Sequence, residues 1–415
     1  MPLQLQSALG VIVLRLLVWL LSERRRLISW RFVALGTLVQ IALAALFLKL
    51  PISAAVFAGV NTVVVGIQHA SEAGSSFVFG FLGGGPLPFQ ETHPGTSVAL
   101  AFRILPLLII MSAVASLLIY WRVLPAIVRG FAWVFEKSLG IGGAVSVSSA
   151  TNIFLGMVES AILIRPYIER LTRSELFIVM TVGLGGVAGT VLVLYASMLA
   201  HTVPNAAGHL LVATLITVPS SIVIARMMVP ETGAPTPGEL SRDEHVHGSI
   251  EALMQGTRQG LELFLNVVAI LIVFVALVYL VDGVLGLLPG PGGSALSLER
   301  VSGWFFAPIA WLMGVSWHDA PVIGALLGTK TVLNELIAYR DLAALPPALL
   351  SERGRLLTTY ALCGFANFGS VAILVAGLAT MAPARRAEIS KLGLRALLGG
   401  MIANCSTAAV VGMLV

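Results

Sequence analysis

Between Asn152 and Tyr167 the chain reads Asn-Ile-Phe-Leu-Gly-Met-Val-Glu-Ser-Ala-Ile-Leu-Ile-Arg-Pro-Tyr, with apolar runs on both sides of Glu159. Leu155-Gly156 interrupts any helix that would carry the acid. Each half is too short to cross a bilayer, which takes about 20 apolar residues. A carboxylate in such a setting costs about 3 kcal/mol and marks a functional site by default. The bland alternative, a Glu159–Arg165 pair at a helix end, loses weight because the same pattern recurs downstream.

The rest of the chain supplies the membrane setting. It is 57% hydrophobic and 11% charged, with mean hydropathy +0.95, where soluble domains carry about 25% charged residues. This is the composition of an all-α polytopic membrane protein. With so few charges, the net +5 reads as loop markers and not as a nucleic-acid surface. Cys363 and Cys405 each sit in an apolar run and read as small core residues, not a disulfide.

Basic residues set the topology. Two spans at about 5–22 and 32–50 flank Glu23-Arg24-Arg25-Arg26 and Arg31, which places that loop inside and the N-terminus outside. Residues 51–102 hold no Lys or Arg, as an external segment should; 51–68 reads as an interfacial helix and Gly83–Pro86 as a loop. A third span, about 100–120, ends at Tyr120-Trp121-Arg122, and 122–140 reads as an inner surface helix. The Glu159 stretch has basic residues before and after it, so it enters and returns as a re-entrant hairpin. A span at about 175–200 is interrupted by Gly183-Leu-Gly185-Gly186-Val-Ala-Gly189-Thr190, and a fifth span returns to Arg226. Residues 229–258 form a polar inner linker; its His245-Val-His247 lacks further ligands at metal-binding spacing.

The second half repeats this order from the other side. After a sixth span at about 260–287 and a Pro/Gly-rich loop, residues 319–340 place Glu335 between short apolar runs. A span at about 354–382 is broken by Cys363-Gly364-Phe365-Ala-Asn367-Phe-Gly369-Ser370, and an eighth ends outside at Val415. The expected domains are 1–121 (spans 1–3), 122–228 (first repeat), the linker 229–258, 259–298 (span 6) and 299–415 (second repeat). One hairpin enters from inside and the other from outside, which is an inverted repeat with broken helices. Such architectures hold a solute near the midplane, where freed backbone groups serve as ligands. Two carboxylates with an Asn and a Ser suit a neutral, hydroxyl-rich solute; a phosphorylated one would call for clustered basic residues.

These residues carry a resemblance. Asn152-Ile-Phe-Leu-Gly-Met-Val-Glu159, Arg165-Pro-Tyr167, Ser174-Glu-Leu-Phe177 and Val187-Ala-Gly189 resemble the first half of the concentrative nucleoside transporters. Gly328-Thr-Lys, Asn334-Glu335, Ala338-Tyr339 and Cys363-Gly-Phe-Ala-Asn-Phe368 resemble the second half. The resemblance implies an elevator-type homotrimer in the inner membrane with eight full spans, both termini external, no cofactor and no enzymatic activity. It implies a scaffold of spans 1–3 and 6, with the hairpins and broken helices moving. It assigns Gly156, Met157, Val158, Glu159 and Val191 to the nucleobase, and Glu335, Asn367 and Ser370, with Phe365 beside them, to the ribose. It assigns Asn152, Gly186 and the carbonyls of Leu155 and Val187 to a cation.

Two departures bear on function. The family reads Gly-Gln-Thr-Glu-Ala-Pro at the first hairpin tip, where this chain has Gly156-Met-Val-Glu-Ser-Ala161. A Ser is usual where Gly186 stands, so a sodium site would lose an oxygen unless water, Thr151 or Thr190 supplies one. A proton needs no such cage, and desolvation of Glu159 would favour proton coupling over sodium. A carrier for another ribose-like or heterocyclic solute is the rival within the class. A receptor would need neither acid, and no His-Glu-x-x-His pair or Ser/His/Asp set points to an enzyme.

Overall fold

The computed structural model describes residues 2–49, 52–91, 97–238, 248–288 and 295–415. The linker segment 239–247, with His245 and His247, and residues 289–293 of the Pro/Gly-rich loop lie outside the described residues. The first spans are α1 (Leu3–Leu20) and α2 (Trp30–Lys49), followed by α3 (Ile52–Phe79). The short α4 (Leu100–Arg103) leads into α5 (Leu107–Tyr120), and α6 (Val123–Leu139) follows. The first hairpin is α7 (Gly143–Thr151) and α8 (Met157–Ile162). Next come α9 (Arg173–Gly185), α10 (Gly189–Leu199), α11 (Ala206–Met228) and α12 (Ser249–Leu285). After α13 (Leu298–Leu312), α14 (Ala320–Val332) and α15 (Glu335–Ala344) form the second hairpin. The chain closes with α16 (Glu352–Leu362), α17 (Phe368–Met381) and α18 (Arg386–Leu414).

Among the described residues, 7 helical stretches are long and apolar enough to cross a membrane: α1, α2, α4–α5, α9–α10, α11, α12 and α18. The remaining expected span is two half-helices, α16 and α17, parted at residues 363–367. Both interrupted spans break where glycine or asparagine stands in an otherwise apolar run. The repeat is visible in the element order: hairpin, broken helix, full helix, first as α7 to α11 and then as α14 to α18.

The centre is made of α9, α11 and α18, whose apolar stretches are mostly buried, as befits helices at the middle of a large bundle. The first helix presents a buried stripe, Ser7, Gly10, Val11, Leu14 and Val18, and lies along α18, while α2 lies along α11. Both of these spans thus pack on helices of the two repeats. α5 packs along α12. That pair is held by Gly256 and Gly260, where an added Cβ would lie 2.6 Å from the Ser112 carbonyl oxygen and 2.6 Å from Ile109 Cα. Small residues four apart let membrane helices approach closely. The outward face of α12 is otherwise bare and apolar, with Ile272, Leu280 and Val284 exposed.

Two boundaries differ from expectation. α3 runs on to Phe79, well past residue 68, because nothing before Gly80 (φ 59°) breaks the helix. α12 begins at Ser249, so residues 249–258 are helix and not linker; Glu251 sits in its favourable first turn. At the basic end of the bundle, Arg173 donates to Glu23 (2.8 Å) and Glu388 (3.1 Å), and Arg395 also pairs with Glu23. The Arg173 hydrogen bond, outweighing partial burial, holds the Glu23 carboxyl below the usual range. These pairs tie the α1–α2 loop to the first turns of α9 and α18.

Gly260→Val forces α5 and α12 apart, and overpacking of this kind costs about 1–3 kcal/mol. The melting temperature in detergent is expected to fall clearly. Gly283→Ala on the same helix, where an added Cβ meets nothing within 4 Å, is expected to change it little.

Candidate functional site

The second hairpin and the second broken helix start their second halves in the same way. Asn334 caps α15 by accepting from the Ile337 amide at 3.0 Å, and Asn367 caps α17 by accepting from the Ser370 amide at 2.7 Å. Capping occupies the Asn367 oxygen and leaves its NH2 group to donate to Glu335 Oε2 at 2.9 Å. Glu335 stands in the first turn of α15, where the helix N-terminus favours an anion. Its other oxygen accepts from the Tyr195 hydroxyl at 2.6 Å. Tyr195 belongs to α10, so this carboxylate, only 5% exposed, joins the two repeats. Val191 lies one turn before Tyr195 on the same helix face, half-buried. The half-buried Phe365 touches the other break directly, its amide donating to the Gly186 carbonyl at 3.1 Å.

The first hairpin meets the first break beside it. The Gly189 amide donates to the Phe154 carbonyl at 3.0 Å. Gly156 is the N-cap of α8; Met157 packs over Gly183, and Val158 lies against Gly377 of α17. Asn152 is 2% exposed and its Oδ1 has no partner, nor does the buried hydroxyl of Thr151 beside it. A Cβ on Gly186 would lie 2.2 Å from Asn152 Oδ1, so the missing side chain is what gives that oxygen its place. Among the described residues no hydrogen bond reaches the carbonyls of Leu155 or Val187. Unpaired neutral oxygens around an unwound segment are the donor set a small monovalent cation takes. No group of three or more His, Cys, Asp or Glu that could hold a metal occurs among the described residues.

One expectation fails. Glu159 is exposed, on the side of α8 away from the buried Met157, Ser160 and Ala161. It makes no contact with Glu335, and the two hairpin acids are not a pair in this structure.

A polar bridge lies beneath the site. Asn404 of α18 donates to the carbonyls of Gly185 and Cys363, each at 2.7 Å, and so clamps the ends of α9 and α16 together. Its Oδ1 accepts from Lys330 Nζ at 2.7 Å, and the same ammonium donates to the Ala361 carbonyl at 2.8 Å. Tyr339 stacks on Tyr195 at 4.7 Å between centroids and donates to the Thr359 carbonyl at 2.8 Å.

Three family models match in succession: the Na+ dependent nucleoside transporter N-terminus over residues 9–82, nucleoside recognition over 101–202, and the Na+ dependent nucleoside transporter C-terminus over 209–412. The nucleoside permease NupC of Helicobacter pylori is 33% identical, with 99% of this chain and 97% of that protein covered. The chain belongs to the concentrative nucleoside transporter family. The putative nucleoside permease NupX of Escherichia coli is 35% identical, with 99% of each protein covered. The structure of CNTnw in an inward-facing substrate-bound state superposes with TM-score 0.90 at 35% identity, over 99% of this chain and 98% of that one.

Reasoning from sequence missed Tyr195 and Asn404 in this family site. Both carried a signal: Tyr195 is one helical turn from Val191, and Asn404 is a lone amide in the last apolar span. Asn404→Leu orphans two buried carbonyls and one ammonium proton, about 1–3 kcal/mol each. That variant is expected to melt far below the wild type in detergent; an unchanged melting temperature would contradict the clamp.

Proposed function

We propose that this member of the family imports nucleosides by sodium symport, with the ribose hydroxyls recognised at Glu335. The observation that carries this reading is the Glu335 carboxylate, oriented by Tyr195 and Asn367 where the two broken helices cross. An acceptor pair held in a dry site is suited to the vicinal hydroxyls of a sugar. Sodium replaces the proton as the favoured ion for two reasons. Glu159 is exposed, and Asn152 Oδ1, the Thr151 hydroxyl and the Leu155 and Val187 carbonyls form an unpaired oxygen set. Gly156, Met157, Val158, Glu159 and Val191 face the base, and Phe365 and Ser370 flank the ribose.

The movement is of the elevator type. The α5–α12 pair is the static body, and the bare apolar face of α12 is where copies meet in a homotrimer. The chain sits in the inner membrane with both termini outside the cytoplasm, following its basic loops. One observation favours a carrier for a different heterocyclic solute: Met157 and Val158 can pack a ring but cannot read its edge.

Hydrogen bonds to a charged group are worth about 1.5–3 kcal/mol, so Glu335→Gln and Tyr195→Phe are each expected to weaken nucleoside uptake about tenfold or more. Dideoxynucleosides lacking both ribose hydroxyls should compete poorly; full competition removes the ribose assignment.

The apolar tip discriminates bases by shape alone, about 1–3 kcal/mol. Vesicle uptake is expected to show similar affinities across a nucleoside panel, with Met157→Gln plus Val158→Thr sharpening the preference. Rejection of every nucleoside in favour of another solute establishes the rival reading.

At fixed membrane potential a sodium gradient alone should drive accumulation and a pH gradient alone should not. Asn152→Ala is expected to raise the sodium concentration needed for half-maximal uptake. Accumulation driven by pH without sodium overturns the ion assignment.

A further inference from the structure

Asn152 and Lys330 occupy matching places in the two repeats. Asn152 stands four residues before Gly156, the N-cap of α8, and Lys330 stands four residues before Asn334, the N-cap of α15. Each follows the inbound arm of its hairpin to the C-terminal end of a broken half-helix. Asn152 reaches Gly186, the residue that caps α9, and Lys330 reaches the Ala361 carbonyl in the last turn of α16. Helix C-termini are negative ends lined with unpaired carbonyls, so both places favour a cation.

The two places differ in one respect. The first holds acceptors only, with Asn152 Oδ1 buried and unpartnered. The second holds acceptors of the same kind, but they are already paired with an ammonium that is 1% exposed. Among the described residues no carboxylate hydrogen-bonds this ammonium; the nearby Glu335 gives its oxygens to Tyr195 and Asn367. A buried charge used only as packing could be exchanged for an apolar side chain at little or no cost. A cation matched to carbonyls at a helix end is better explained by the charge it brings.

We propose that Lys330 is a tethered counterpart of the transported cation. Its ammonium fills in the second repeat the place that sodium takes in the first, leaving the carrier one exchangeable cation site. This rests on the reading of Asn152 as a cation ligand. The Lys330 charge travels with the hairpins whether they are loaded or empty, so one sodium ion accompanies each nucleoside.

The test is nucleoside binding and transport as a function of sodium in the reconstituted full chain. For the wild type, a Hill coefficient for sodium of about 1 and about one charge per nucleoside are expected. For Lys330→Asn, which copies the first repeat into the second, both should rise toward about 2. A folded Lys330→Asn protein with unchanged values overturns the proposal, as do two sodium ions per nucleoside in the wild type. If Lys330→Asn does not fold, the reciprocal Asn152→Lys decides. Its nucleoside binding, measured by calorimetry in choline chloride, should no longer require sodium, and a persisting requirement overturns the proposal. Wild-type binding indifferent to sodium removes the Asn152 site itself, and the tethered counterpart with it. Sodium-dependent wild type beside an unchanged Lys330→Asn removes only the role of Lys330.

Discussion

Two interrupted helices meeting inside a dry bundle set the terms for everything around them. Each break frees backbone donors and acceptors where no water competes, and an orphan there costs several kcal/mol. The groups are satisfied by crossing from one repeat to the other. The Phe365 amide takes the Gly186 carbonyl, and the Asn404 amide takes one carbonyl from each broken helix. Lys330 takes the Ala361 carbonyl, and Asn334 and Asn367 cap α15 and α17. What these pairings leave over is a carboxylate with its two donors on one side, and unpaired oxygens around Asn152 on the other.

The parts of this arrangement that come from local chemistry were readable from the chain. Glycines at 183–189 and the Cys363–Ser370 stretch sit in long apolar runs, and a helix cannot carry that many interruptions unbroken. A segment with basic residues at both ends and too few apolar ones to cross must turn back. Parts that depend on two distant segments meeting were not readable. A tyrosine in an apolar span reads as core or interface anchor, and only the crossing of α10 with α15 makes Tyr195 the partner of Glu335. The lie of α1 and α2 on α18 and α11 was equally hidden, because an apolar helix does not name the apolar surface it meets.

Glu159 shows how flanking hydrophobicity misleads. Apolar residues on both sides in sequence suggested burial all round. α8 is only six residues long, and its buried face is spent on Met157, Ser160 and Ala161. The opposite side, with Glu159, stays open. Glu335 also begins a short helix, yet α15 is covered by α14, α10 and α16, so its acid is enclosed. The two hairpins are alike in sequence pattern and unlike in the surroundings of their acids.

The glycine at 186 then has a consequence opposite to the one its chemistry first suggests. Losing a hydroxyl removes one oxygen from a cation site, which argued against sodium. In the folded chain the vacated space is filled by Asn152 Oδ1, which lies 2.2 Å from where a Cβ would stand and could not occupy that position beside a serine. The amide oxygen carries a larger partial negative charge than a hydroxyl and has no proton to turn away. That oxygen is buried and unpaired, and so is the Thr151 hydroxyl next to it. Glycine at 186 thus leaves a buried amide oxygen close to where a serine Cβ would stand, and the position of Asn152 depends on residue 186 remaining glycine.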